Sequence, residues 1–163
     1  MYTFRRVQIK DIEFIYYLRS ITSDNFLKKG DRSLNFSFLS NRIKNNELNY
    51  FCFESKTEII GYYRFYLVNN IPEIGSWITN PQSNLFKKVL FDLEFKKKVF
   101  DDTNSDKIIF DVKIKNTSVW KHHENFGASR INENNNTYYY ELNKNKFIEN
   151  YERKIKRINS RSI

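Results

Sequence analysis

The chain has 163 residues, of which 40% are hydrophobic and 29% charged, the balance of a folded domain rather than of a disordered chain. The 28 Lys and Arg residues against 19 Asp and Glu give a net charge of +9, which favours an anionic partner. No apolar run approaches the roughly 20 residues of a membrane helix, and the first residues lack the apolar stretch of a signal peptide. The single cysteine, Cys52, excludes an internal disulfide and fits a reducing compartment. We expect one soluble, cytoplasmic domain over 1–163.

The first half of the chain alternates between helical and strand-like spacing of its apolar residues. Helical spacing follows Asp11, and two aromatic and β-branched runs joined by a four-residue turn indicate a hairpin. The expected elements are a strand over 2–8, helices from Asp11 and over 31–43, hairpin strands over 50–54 and 59–68, and a strand over 73–79.

The second half predicts a long helix between two strands, which implies a parallel pair joined by a right-handed crossover. The long helix carries apolar residues on one face and is expected to turn its lysines to solvent. The expected elements are a loop over 80–84, a helix over 85–100, a strand over 108–114, a helix over 117–126 closed by Gly127, strands over 129–132 and 137–142, and a basic amphipathic helix over 146–163. The fold class is therefore α+β, with a mixed, mostly antiparallel sheet of about seven strands flanked by helices.

Several catalytic motifs are absent from the sequence. There is no Walker A sequence, no glycine-rich dinucleotide pattern and no pair of closely spaced cysteines. His122 and His123 are the two histidines, and no carboxylates stand beside them at ligand spacing, so no metal site is expected. The sequence therefore does not favour an enzyme of nucleotide hydrolysis, hydride transfer or metal-dependent hydrolysis.

Residues 116–128, NTSVWKHHENFGA, follow a strand of clear period-two alternation. They resemble the signature of the GNAT acetyltransferase superfamily, in which an Asn ends a strand and is followed by a Tyr seven residues on, a Glu and a Gly. Here Asn116 ends the strand, His123 takes the tyrosine position, and Glu124 and Gly127 complete the pattern. The order of elements is also that of the superfamily, so the resemblance covers nearly the whole chain.

The resemblance implies a splayed parallel strand pair and acetyl-CoA as co-substrate, with a neutral amine attacking the thioester directly. It makes His123 the general acid for the departing thiolate and Glu73 the candidate base. Each has a structural alternative: a helix-face histidine and an exposed acid at a strand end. Asn116 is expected to bind the pantetheine arm, or to cap the following helix, or both. The implied coenzyme A site comprises Trp77, Ile78, Thr79, Gln82, Ser83, Asn84, Leu85, Phe86, Lys87, Lys88, Asn116 and Lys121.

One departure concerns the loop that binds the coenzyme A pyrophosphate in the superfamily. That loop is glycine-rich in most relatives, whereas residues 80–88, NPQSNLFKK, contain no glycine. Backbone N–H groups at a helix N-terminus still bind phosphate, and Lys87 and Lys88 add charge. A degenerate, non-catalytic relative is the alternative.

The acceptor is inferred from the form with His at position 123 and a Trp at position 120. This form resembles the subset that acetylates nucleotide-linked amino sugars for bacterial surface polysaccharides such as O-antigen. A dTDP- or UDP-amino sugar is the expected acceptor, with Arg19, Tyr63 and Arg64 lining its site; a protein or ribosomal amine is the alternative. We expect no nucleic acid and no membrane insertion, and the helix over 146–163 packs on its own domain or on a homodimer mate.

Overall fold

The computed structural model of the chain describes residues 2–22, 36–45 and 49–159. Among them, the strands are β1 (Tyr2–Arg6), β2 (Asn49–Ser55), β3 (Ile59–Val68), β4 (Ile71–Thr79), β5 (Lys107–Lys113), β6 (Ser129–Asn134) and β7 (Thr137–Asn143). The helices are α1 (Ile12–Ile21), α2 (Phe36–Lys44), α3 (Leu85–Thr103), α4 (Thr117–Asn125) and α5 (Lys144–Asn159), with a 3-10 turn at Ile9–Asp11. The predicted start of the second helix, 31–35, and the end of the last, 160–163, lie outside the described residues.

The strands form one sheet in the order β1-β2-β3-β4-β5-β7-β6. β4 pairs in parallel with β5, with Glu73 opposite Ile109. Antiparallel pairing joins β1 to β2, β2 to β3, β5 to β7 and β6 to β7. The predicted α+β class, with a mostly antiparallel sheet and one parallel pair, is confirmed.

The described residues form two compact units. The first unit consists of the described residues up to Tyr66 and of Ile74–Phe95. The second consists of Leu67–Glu73 and of the described residues from Lys96 onward. The single domain over 1–163 stays a prediction.

The first unit packs helices on both faces of its strands. On one face, the apolar stripe of α1 (Ile12, Ile15 and Leu18) is buried against Tyr62 and Cys52. Burial raises the pKa of the Cys52 thiol to about 12, so this thiol stays protonated and serves as core. On the other face the packing is aromatic and includes Phe4, Phe51, Phe53, Tyr63, Phe65, Phe91 and Phe95. These aromatic side chains therefore form the interior packing on this face of the sheet.

The second unit is built on the period-two pattern of β5. Ile108, Phe110 and Val112 are buried, and the ring of Phe110 stacks on Tyr140 of β7 at 5.4 Å. Gly127 ends α4 with a φ of 91°, the left-handed conformation that glycine adopts without a side-chain clash. The predicted helix end is therefore confirmed.

β4 begins two residues earlier than predicted because of the turn before it. Asn69 and Asn70 have φ values of 50° and 64°, the pair of left-handed residues that reverses a chain in a two-residue hairpin turn. Ile71 and Pro72 are thus free to join the strand. In the described ranges, no helix combines the length and the apolar character that a bilayer crossing demands.

Candidate active site

Ser76 interrupts the regular geometry of β4. Its φ is 54°, a left-handed conformation that residues other than glycine rarely adopt within a strand. Its hydroxyl oxygen is buried and has no hydrogen-bond partner. Backbone strain of this kind concentrates at ligand sites, and no sequence signal marks a serine for it. The strand is therefore irregular directly before the segment 77–79, which is expected to hold the pantetheine arm.

The side chains of that segment are engaged in packing. The Trp77 ring stacks on Tyr63 with centroids 6.0 Å apart, and Ile78 belongs to the buried core beside α1. Thr79 is half-buried. The side chains fix the strand, so any contact with a ligand along 77–79 is left mainly to the backbone, as the resemblance implies.

The loop over 80–84 is ordered by asparagine rather than glycine. The Asn80 backbone N–H donates to the Ile60 carbonyl at 2.7 Å, and its side-chain oxygen accepts from the Gln82 N–H at 3.0 Å. Ser83 is buried, and its N–H donates to the Asn80 carbonyl at 3.1 Å. None of these residues has a positive φ. The turn thus contains no residue in the positive-φ conformation that favours glycine. The backbone geometry of this loop is therefore compatible with a sequence that lacks glycine.

The N-terminus of α3 follows this loop and is open to solvent. The Asn84 side-chain oxygen accepts from the Lys87 N–H at 2.9 Å, which caps the helix. Leu85 is 76% exposed and Phe86 45% exposed, although both are apolar. Residues 84–86 are thus accessible at the positive end of a 19-residue helix dipole.

The two lysines predicted to bind phosphate both have partners within the chain. Lys87 forms an ion pair with Glu58, whose other carboxylate oxygen accepts from the Ser83 hydroxyl at 3.1 Å. The hydrogen bond from Lys87 lowers the pKa of Glu58, and the same bond raises the pKa of Lys87. Lys88 donates to the Pro81 carbonyl at 3.3 Å. Sequence reasoning missed Glu58, which lies in a hairpin turn 29 residues before its partner.

Arg19 and Arg64, both candidates for the acceptor site, differ in environment. Arg19 is 2% exposed and donates to the hydroxyls of Tyr62 at 2.6 Å and Tyr50 at 3.1 Å. Arg64 is half-buried, with its guanidinium over the Tyr66 ring, and its Nε is buried without a hydrogen-bond partner. A buried, unsatisfied N–H is costly, so Arg64 is the better-suited of the two to meet an anionic group.

Tyr63, the third acceptor candidate, lies in the aromatic core. Its ring stacks on Phe95 at 4.0 Å, and its hydroxyl donates to Asp92 at 3.1 Å. Burial, and then the neighbouring Asp92 carboxylate, raise its pKa well above the ordinary value. Tyr63 is therefore a neutral, hydrogen-bonded core residue.

In the second unit, Asn116 starts α4 without using its side chain. Its carbonyl accepts from the N–H groups of Val119 at 3.1 Å and Trp120 at 3.2 Å, while its side chain makes no capping hydrogen bond. The amide is half-buried. The Asn116 side chain therefore does not cap α4, and its contact with the pantetheine arm stays a prediction.

His123 is the central titratable group of α4. It is 3% exposed, and its Nδ1 lies 2.8 Å from Nζ of Lys96. The rings of Phe110 and His123 pack in an edge-to-face arrangement, with their centroids 4.6 Å apart. These contacts fix the orientation of the ring, and the role of His123 as general acid stays a prediction.

The remaining predicted residues of this unit lie near the surface. Glu73 is half-buried on β4, opposite Ile109. Lys121 is exposed, with its ammonium 5.5 Å from the Trp120 ring centroid. The roles assigned to Glu73 and Lys121 stay predictions.

These features were compared with known proteins. No protein-family model and no curated protein matches the sequence. Among solved structures, one match is FdhC, which is described as a nucleotide-linked sugar GNAT. The match spans 94% of this chain and 93% of the FdhC chain, with a TM-score of 0.75 and 26% sequence identity. The predicted resemblance to the GNAT superfamily is confirmed.

Two other structures share the GNAT fold at lower identity. One is spermidine N-acetyltransferase from Vibrio cholerae, solved with CoA and spermine. The match spans 90% of this chain and 98% of that enzyme's chain, with a TM-score of 0.72 and 19% sequence identity. The N-acetyltransferase PseH from Campylobacter jejuni covers 88% and 98%, with a TM-score of 0.66 and 17% identity. The predicted enzyme class, an N-acetyltransferase with acetyl-CoA as co-substrate, is confirmed.

Sequence reasoning missed the burial of Lys96 and the contacts of Glu124. Lys96 was expected on the solvated face of α3, yet it is fully buried beside His123. Glu124 accepts from the Tyr140 hydroxyl at 2.9 Å and from Arg130 at 2.9 Å, which ties α4 to the last hairpin. These three contacts join residues 27, 16 and 6 positions apart along the chain, and no local pattern signals them.

Proposed function

We propose that this GNAT protein transfers the acetyl group of acetyl-CoA to the amine of a nucleotide-linked amino sugar. The similarity to FdhC over 94% of the chain, at 26% identity, carries this proposal, because FdhC is described as a nucleotide-linked sugar GNAT. A surface-polysaccharide pathway such as O-antigen synthesis is the expected setting for such a product.

Charge also separates this acceptor from the polyamines that some GNAT enzymes bind. Spermidine is a polycation, and a chain with a net charge of +9 repels it at long range. A sugar nucleotide carries two phosphates, which the same field attracts. The unsatisfied Nε of Arg64 offers a donor suited to phosphate or carboxylate oxygens.

For the co-substrate, the exposed N-terminus of α3 is the proposed site of the coenzyme A pyrophosphate. The first-turn N–H groups and the helix dipole favour an anion there. The loop over 80–84 leads into this helix without a glycine, because hydrogen bonds of Asn80 and Ser83 form its turns. Lys87 and Lys88 stand in this turn as the charged partners.

The proposed chemistry needs little beyond positioning and proton transfer. The neutral amine attacks the thioester carbonyl, and the tetrahedral intermediate collapses with loss of the coenzyme A thiolate. His123 protonates that thiolate, the Asn116 amide holds the pantetheine arm, and Glu73 takes the amine proton directly or through water.

An acceptor panel tests the substrate. Thiol release from acetyl-CoA is measured with dTDP- and UDP-amino sugars, spermidine and a lysine peptide under the same conditions. Turnover with a sugar nucleotide alone supports the proposal, whereas turnover with spermidine or the peptide alone overturns its substrate. If no acceptor turns over and acetyl-CoA does not raise the melting temperature, the chain is a non-catalytic relative.

The role of His123 is tested on the acceptor that the panel identifies. His123→Ala is expected to lower kcat by about 10²–10⁴-fold, the usual contribution of a positioned acid. His122→Ala is the matched control, since His122 is adjacent and half-buried and has no assigned role. Equal rates for the two variants would refute the assignment.

A further inference from the structure

Lys96 is a buried lysine whose ammonium group meets an imidazole. Its side chain is 0% exposed, and Nζ lies 2.8 Å from Nδ1 of His123. The Phe110 ring borders both groups, at 5.5 Å from Nζ and 4.6 Å from the imidazole. Lysines are almost never fully buried without specific polar partners, and Nδ1 of His123 is one such partner of Lys96.

The two groups together determine where the imidazole proton lies. An ammonium group has N–H donors and no acceptor, so Nδ1 of His123 must accept from Lys96. A neutral imidazole whose Nδ1 accepts carries its proton on Nε2. An imidazolium at His123 would carry N–H groups on both ring nitrogens and no acceptor at Nδ1, so the 2.8 Å contact with Lys96 would bring two donors together.

We infer that Lys96 is a positioning residue that holds His123 as the Nε2–H tautomer and supplies a proton to it during catalysis. The inference rests on the proposed function, in which His123 protonates the coenzyme A thiolate. It adds to that function the source of the proton and the nitrogen that delivers it.

Two proton transfers accompany the departure of the thiolate. The C–S bond of the tetrahedral intermediate breaks, and the sulfur takes the proton from Nε2 of His123. Nδ1 takes a proton from Nζ of Lys96, which leaves a neutral amine and a neutral imidazole of the opposite tautomer. Without Lys96, the same step would leave an imidazolate anion, a far less stable product. The pair regains its proton from solvent before the next turnover.

The tautomer is measured directly by NMR of ¹⁵N-labelled histidine. The chain has two histidines, so the variant His122→Gln leaves His123 as the sole imidazole signal. In the ligand-free protein, Nε2 is expected to be protonated and Nδ1 unprotonated. Lys96→Met keeps the length of the side chain and removes its donor, and it is expected to shift His123 towards a mixture of tautomers.

The kinetic expectation separates positioning from binding. Lys96→Met should lower kcat by about 10²-fold or more and leave the KM for acetyl-CoA nearly unchanged, because the loss falls on a transition-state interaction. Lys96→Arg retains a donor and should recover part of the rate. Lys97→Met is the matched control: Lys97 lies next on α3, is exposed and pairs with Asp101.

Each outcome decides the inference. A protonated Nδ1 in the parent protein overturns it, and this measurement does not require that Lys96→Met folds. An unchanged tautomer and an unchanged kcat in folded Lys96→Met overturn it as well. If the tautomer is Nε2–H and is lost in Lys96→Met, yet no acceptor is acetylated, Lys96 positions His123 as inferred and the proposed function fails.

Discussion

Gly61 on β3 lies directly against Ile78 on β4. A β-carbon at position 61 would overlap the Ile78 carbonyl oxygen and would lie 2.9 Å from both Cα of Thr79 and Cε1 of Phe91. Two of these neighbours are backbone atoms, which cannot move without displacing the strand. Gly61 is therefore the residue that allows β4 to lie where the pantetheine arm is proposed to bind.

Gly61→Ala is expected to destabilise the fold by roughly 1–3 kcal/mol, the cost of overpacking a filled site, and to weaken acetyl-CoA binding. Urea unfolding and acetyl-CoA titration measure the two effects. Ile60→Val, a change at the neighbouring buried residue, costs about 0.5–1.5 kcal/mol without pushing on β4. If both variants bound acetyl-CoA equally well, the position of β4 would not depend on Gly61.

The order of strands and helices was predictable because local spacing determines it. The alternation of Ile108, Phe110 and Val112 and the aromatic hairpin specify strand type without any knowledge of neighbours. Lys96 shows where this logic stops. Three lysines run along 96–98 and differ only in the direction each takes from α3, so helical spacing alone does not reveal that one of them meets a buried imidazole.

The candidate site was predictable where the chain position of a motif sets the role. Asn116, His123 and the loop over 80–84 follow from the signature and from the element order. Ser76 and Glu58 do not, because a strained φ and a pair separated by 29 residues arise only from tertiary packing.

Two asparagines at helix starts are expected to respond differently to substitution. Asn84→Ala removes a side-chain cap from α3 and should cost about 1 kcal/mol of stability. Asn116→Ala removes no capping bond from α4, so the melting temperature should hardly change while the KM for acetyl-CoA rises. Thermal melts and initial rates on the same pair check both. A clear loss of stability in Asn116→Ala would return this residue to a structural role.

Asp11 links the start of α1 to β1 and makes stability depend on pH. Burial raises the pKa of Asp11, but hydrogen bonds from Arg5 at 2.6 and 2.9 Å and from the Gln8 N–H at 2.7 Å outweigh this and hold it below its ordinary value of 3.8. A carboxylate with a lowered pKa stabilises the fold above its ordinary pKa, and the contribution is lost as the pH falls through the folded-state value.

Asp11→Asn should therefore lose about 1.5–3 kcal/mol at pH 7, as for hydrogen bonds to a charged group, and the difference from the parent should shrink below about pH 3.8. Urea unfolding across pH measures it. Asp101→Asn is the matched control, because its pair with Lys97 is exposed and should contribute almost nothing. A difference that persisted unchanged at low pH would show that packing, not charge, is lost.

Glu58 sets the charge beside the proposed pyrophosphate loop. Its carboxylate neutralises Lys87 and accepts from Ser83, so it occupies donors that a phosphate would use. Glu58→Gln should free Lys87 and tighten coenzyme A binding severalfold, with the gain lost at high salt because the pair is partly exposed. Glu54→Gln, whose partner is Arg5, is the control and should leave the affinity unchanged. Calorimetric titration at two salt concentrations measures the affinity for coenzyme A. Equal affinities in the parent and in Glu58→Gln would show that Lys87 does not contribute to coenzyme A binding.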